Sequence, residues 1–257
     1  MSSVSAAPAP SSRRWLFGPT TDLLFGCGVG YALIFALQVL NPGLLRAWIP
    51  IGAAPLVILL SGTPHYGATL LRVYERGEDR RAYRFFTVWV TVALVLAFFA
   101  GLESVVIGSW LLTIYLTWSP WHYSGQNYGV AMMFLRRRGI EVTPQAKRLF
   151  HASFFLCFLL TFLAQHGQGG SASYAPFASG GDQIRFIPLG LPSFLSKTGL
   201  LVVGAAYAAA VLLAFGSFLR RGSPRDVLPA VVLTFTQALW FAVPVIGRNL
   251  DLFTNLE

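Results

Sequence analysis

Apolar residues run along this chain in long blocks broken by short polar stretches. Seven blocks come near the roughly 20 residues that a helix needs to cross a bilayer. They lie at about 22–40, 49–71, 85–101, 105–124 (running on to 135, or followed there by an amphipathic helix on the cytoplasmic face), 149–166, 198–218 and 227–246. The pattern predicts an all-α fold, a polytopic transmembrane bundle of about seven spans. Residues 1–15 read as a disordered tail, because their Ser, Ala and Pro cannot build a core. Residues 16–257 read as one transmembrane helical domain.

The polar stretches between blocks carry a charge bias. On one side lie Arg13 and Arg14, then Arg72, Arg76, Arg80, Arg81 and Arg84, then Arg136, Arg137, Arg138, Lys147 and Arg148, then Arg220, Arg221 and Arg225. The other side has only Arg46, Arg185, Lys197 and Arg248. By the positive-inside rule the N-terminus is expected in the cytoplasm and the C-terminus outside, in a bacterial inner membrane. An eighth span beyond residue 257 would return the C-terminus to the cytoplasm. Ser12-Arg13-Arg14-Trp15 resembles a twin-arginine export signal, but no small-x-small cleavage site ends the first block. Two arginines anchoring a first helix is the simpler reading. The segment 167–197 is a long outer loop, and Pro188 and Pro192 argue against a regular helix there.

Composition agrees with a membrane protein. The 257 residues are 55% hydrophobic and 11% charged, against about 25% charged in a soluble domain. Mean hydropathy is +0.61. The net charge of +9 sits in the loops and forms no separate basic face, so nucleic acid is not an expected partner. Cys27 and Cys157 lie inside apolar blocks with no metal-site spacing, and read as small buried hydrophobes. No nucleotide loop, Ser-x-x-Lys or Gly-x-Ser-x-Gly motif is present.

The chemistry concentrates in one stretch, Thr117–Tyr128, which reads Thr-Trp-Ser-Pro-Trp-His-Tyr-Ser-Gly-Gln-Asn-Tyr. An ionisable group at membrane depth marks a candidate functional site. An echo occurs at Gly62–Thr69, Gly-Thr-Pro-His-Tyr-Gly-Ala-Thr. Each copy has a hydroxyl residue, a proline, a His-Tyr pair and a polar residue four beyond the histidine. At helical spacing His65 shares a face with Thr69, and His122 with Gln126. Arg72 extends the first stripe by a turn. The two stretches look like half-sites. Neutral imidazoles from His65 and His122, with His151 as a third, would suit a transition metal such as iron. Thr69, Gln126, Tyr66 and Tyr123 are candidates to orient those rings or contact a substrate. The nearest carboxylates are Glu75, Glu78 and Asp79, in the loop after the second block. The competing reading is structural: interfacial Trp and Tyr, with histidines bonding across helices. On that reading His151 is interfacial. His166, at the outer end of the fifth block, is expected to be a solvated loop residue.

Through His65-Tyr66-Gly67 and His122-Tyr123-Ser124-Gly125 the chain resembles multi-histidine integral membrane oxygenases, nearest the bacterial Brp/Blh carotenoid-cleavage family. The resemblance covers two short motifs and lacks an acidic residue after each histidine. It implies a helical bundle holding non-haem iron through histidines of several spans, and oxidation of an apolar substrate. The first functional expectation is therefore a metal-dependent membrane oxidoreductase acting on a lipid or isoprenoid. The alternative is a non-enzymatic module binding membrane lipids or a partner subunit. Small-solute transport ranks below both, because no charged residue sits in mid-span as an ion path requires.

Overall fold

The computed structural model describes residues 14–41, 77–167 and 184–243, with single residues between 56 and 75. Among the described residues the fold is all-α, with eight helices: α1 (Pro19–Gly26), α2 (Val29–Leu40), α3 (Gly77–Ala82), α4 (Phe85–Glu103), α5 (Val105–Arg137), α6 (Pro144–His166), α7 (Ser193–Leu219) and α8 (Pro224–Gln237). Three of them, α4, α6 and α7, are long and apolar enough to cross a membrane. The pair α1 and α2, bent by 56° at Cys27-Gly28, makes a fourth if counted as one broken span.

Seven spans are therefore not supported. The block at 49–71 lies outside the described residues, apart from a few positions. The last block divides into the 14-residue α8, which opens on Pro224-Arg225-Asp226, and a π-helical turn, Ala238–Ala242. The fourth block is one continuous 33-residue helix that takes in the polar Thr117–Tyr128 stretch and ends on Arg136-Arg137. At 1.5 Å per residue α5 is about 50 Å long, well beyond a hydrocarbon core of about 30 Å. The segment 125–135 is thus the continuation of the fourth block, not a separate surface helix.

The chain divides into two compact units. The smaller comprises Leu37–Leu112 with Ala178–Arg185. Here α4 presents Leu94, Leu96, Phe98 and Phe99, each about 60% exposed. So large an apolar surface is at home in lipid, not water. The first turns of α5 meet α4 at two glycines. A Cβ on Gly108 would lie 2.9 Å from the Gly101 carbonyl oxygen and 2.7 Å from the Ile184 Cδ1. The isoleucine tip can swing aside; the carbonyl cannot. Gly108→Val is expected to cost about 1–3 kcal/mol, read as a lower melting temperature in detergent micelles. An unchanged melting temperature would show that this close approach is not needed.

The larger unit contains Met1–Ala36, Thr113–Phe177 and Phe186–Glu257. Its core joins α5, α6, α7 and α8 through Phe134, Leu135, Phe150, Phe154, Phe218, Val227 and Ala230. α6 starts cleanly: Pro144 occupies its first turn, and the Thr143 hydroxyl accepts from the Ala146 N–H at 3.2 Å. Buried hydroxyls close on their own helix carbonyls, as with Ser153 to Phe150 at 2.7 Å and Thr234 to Ala230 at 2.8 Å. In lipid this is how such groups avoid an orphaned donor.

The N-terminal segment is held against this core. Asp22 is buried and accepts from the main-chain N–H of Leu16 and Phe17 at 2.6 and 3.2 Å. Arg138 donates to the Arg14 carbonyl at 2.8 Å and stacks over the Trp15 ring at 4.1 Å. Arg137 donates to the Trp15 carbonyl at 3.2 Å, and Arg14 pairs with Asp226 at 3.0 Å. Burial pushes the Arg138 guanidinium below its ordinary value, and the Asp226 carboxylate opposes the shift. Arg14 thus ties the N-terminal segment to the first turn of α8 through Asp226. Arg138→Ala would leave the Arg14 carbonyl without its donor and remove the stack on Trp15. The expected loss is about 3 kcal/mol, read as a lower denaturation midpoint.

Candidate functional site

The residues of the site come from facing stretches of α5 and α6. On α5, His122 and Gln126 are one helical turn apart, and Gln126 Nε2 lies 3.0 Å from His122 Nε2. An amide N–H can only donate, so His122 Nε2 accepts and its ring proton sits on Nδ1. Trp118 stacks on the same ring at 4.9 Å, nearly parallel. On α6, His151 lies seven residues inside the helix start at Pro144 and meets Tyr128 of α5 edge-on at 4.9 Å. His122, Gln126, Tyr128, His151 and Phe154 line one hollow of about 350 Å³, with Trp121 and Phe155 on its walls. The structure thus brings His122, Gln126 and His151 to one groove.

His65, Tyr66, Thr69 and Arg72 lie outside the described residues. Among the described residues no three of His, Cys, Asp and Glu converge as a metal ion needs. The described groove supplies two imidazoles and no carboxylate, which does not by itself make a metal centre. A metal on His122 Nε2 would also have to displace the Gln126 amide from that nitrogen.

Tyr123 turns away from this groove. Its ring packs on Phe241 at 6.2 Å, and it lines a second hollow of about 340 Å³ with Tyr31, Asn127, Thr236, Gln237 and Trp240. This one opens at the break between α1 and α2. Gly28 sits there at φ +81°, open to glycine but strained for other residues. The Thr236 hydroxyl donates to the Cys27 carbonyl at 2.7 Å, which satisfies the interrupted backbone. Gln237 joins the two hollows. It accepts from Asn127 Nδ2 at 3.0 Å and donates to Ser124 Oγ at 3.0 Å. Asn127 lines the second hollow and Ser124 the first. Sequence reading passed over Gln237; a glutamine at the end of an apolar helix was the available signal.

His166 corrects an expectation. It is not solvated but 2% exposed. Its Nδ1 accepts from the Leu189 main-chain N–H at 3.2 Å, so its Nε2–H faces the Thr117 hydroxyl at 2.9 Å. The Leu191 N–H donates to the His166 carbonyl at 2.8 Å. The reason is the non-helical segment 186–191, whose main chain needs partners and finds them at the end of α6. His166 fastens that segment and takes no part in the groove.

No protein-family model matches the chain, and it matches no curated protein and no solved structure.

Proposed function

We propose that this helical membrane protein binds an apolar molecule in the groove of His122, Gln126 and His151, and that His65 completes a three-histidine iron site for its oxidation. One observation carries the reading: imidazoles from two different helices, His122 of α5 and His151 of α6, line one hollow. The resemblance to multi-histidine membrane oxygenases points the same way. Iron would supply dioxygen activation, the chemistry suited to the hydrocarbon chain of a lipid or isoprenoid, which has no hydrolysable bond. Trp121, Phe154 and Phe155 would hold the substrate and exclude water, and Gln126, its amide turned so that Oε1 accepts from the ring N–H, would set the ring of His122.

Metal analysis of the purified protein tests this. The native chain is expected to carry close to one iron per chain, and His65→Ala, His122→Ala and His151→Ala each to lose most of it. Metal well below one per chain, unchanged in the three variants, would leave the second reading, a lipid- or partner-binding module without catalysis. That reading is favoured by the aromatic lining of the groove, with Trp121, Tyr128, Phe154 and Phe155 around the two imidazoles.

A further inference from the structure

The groove does not end at His151. A second hollow of about 370 Å³ continues it between the same two helices, lined by Tyr128, Gly129, Met132, Met133, Arg136, Arg137 and Lys147. The two meet at Tyr128, which lines both. Helical spacing explains the continuity. On α5 the stripe runs His122, Gln126, Gly129, Met133, Arg136, and on α6 it runs Lys147, His151, Phe154, each step being three or four residues. The floor is apolar and the far end is cationic. His122 and Arg136 are about 21 Å apart along the helix, the reach of a long hydrocarbon chain.

Two further observations show room and an unpaired donor. A Cβ on Gly125 or on Gly129 would meet nothing within 4 Å, and each glycine lines one of the hollows. The groove is open where a side chain would otherwise fill it. At the cationic end the Arg137 Nε–H is buried and has no acceptor among the described residues.

We infer that this groove seats a single-chain amphiphile with a phosphate head. The phosphate is bound by Arg136, Arg137 and Lys147, and the chain runs over Gly129 and Tyr128 to His122 and His151. Guanidinium and ammonium groups at a membrane boundary select phosphate oxygens, and the methionines give an adaptable apolar wall. This names the substrate class of the proposed site and so rests on that reading.

The test uses the full chain in neutral maltoside micelles with oleoyl lysophosphatidate as probe, binding being followed by thermophoresis. One molecule is expected to bind per chain. Arg136→Gln with Lys147→Gln is expected to weaken it about thirtyfold, the loss of two cations at a membrane boundary. Gly129→Leu is expected to abolish binding while leaving the melting temperature unchanged or higher, since leucine favours a helix more than glycine does. Inorganic phosphate is expected to compete only far above the probe concentration. An unchanged affinity in the double charge variant overturns the proposal, as does full binding to Gly129→Leu. Displacement by phosphate at the probe's own concentration overturns the lipid in favour of the free anion. The two readings part at Gly125→Leu. If it removes bound iron while the charge variants bind normally, the head-group assignment fails and the histidine site stands. If iron is absent throughout while the charge variants weaken binding, the histidine site fails and the phosphate end stands.

Discussion

Phe150→Ala is expected to lower the stability of the folded chain by about 3–5 kcal/mol, the cost of an unfilled cavity in a close-packed core. Phe150 is fully buried on α6. Its ring meets Phe154, Phe215 and Phe218 edge-on at 5.1 to 5.5 Å, and Tyr128 at 5.8 Å. Lipid does not lessen this cost, because membrane helices associate through packing contacts and those contacts are lost with the ring. The effect should reach the groove. Tyr128 leans on Phe150 and Phe154 and in turn on His151, so losing one ring frees the wall of the site. The melting temperature in micelles should fall sharply, and Phe150→Leu should recover a good part of it. If Phe150→Ala melts with the native chain, the aromatic cluster is not what joins α5, α6 and α7.

The second large effect is expected at His166. Replacement by leucine keeps the volume and removes both ring nitrogens. The Leu189 N–H then loses its acceptor inside the protein, and Thr117 loses its donor. The expected cost is about 2–4 kcal/mol. Phe162 and Phe186 pack on the ring at 4.6 and 5.2 Å, so the space does not open to water that could substitute. The segment 186–191 should become the first part of the larger unit to yield. Limited proteolysis is the sensitive readout: cleavage near Leu189 should rise well before global unfolding. Equal protease resistance in both proteins would show that the segment is held by other contacts.

How much of this was legible in the sequence differs by element. α4, α6 and α7 announced themselves, because each is an uninterrupted apolar run of spanning length. α5 was legible as the block at 105–124, but its unbroken course through the polar stretch to Arg137 was not, since polar residues are spread along a helix too long for one span. The stacking of His122 and Gln126 followed from four-residue spacing alone. That His151 faces them did not, because spacing within α6 says nothing of how α6 is rotated against α5. Lys147 and His151 are also one turn apart, so the phosphate end could have been suspected once that rotation was known. His166 was misread because its partners are main-chain atoms of a non-helical segment. No side-chain pattern marks which backbone N–H will arrive at a given ring. Tyr123 was assigned to the groove through its neighbour in sequence, although adjacent helical residues point about 100° apart.

The anchoring of the N-terminal segment has a consequence for how the chain tolerates change. Arg138 and Arg137 hold the carbonyls of residues 14 and 15, and Asp22 holds the N–H groups of residues 16 and 17. All four grips are on main-chain atoms, which every non-proline residue carries. Side chains at 16 and 17 are therefore largely interchangeable here; replacing Arg14 leaves the buried Asp226 Oδ1 without its cation. Spacing is not interchangeable. One residue inserted between Trp15 and Asp22 moves the carbonyls and the N–H groups out of phase with their two separate holders, and no choice of side chain restores both. The segment is read by length, not by identity.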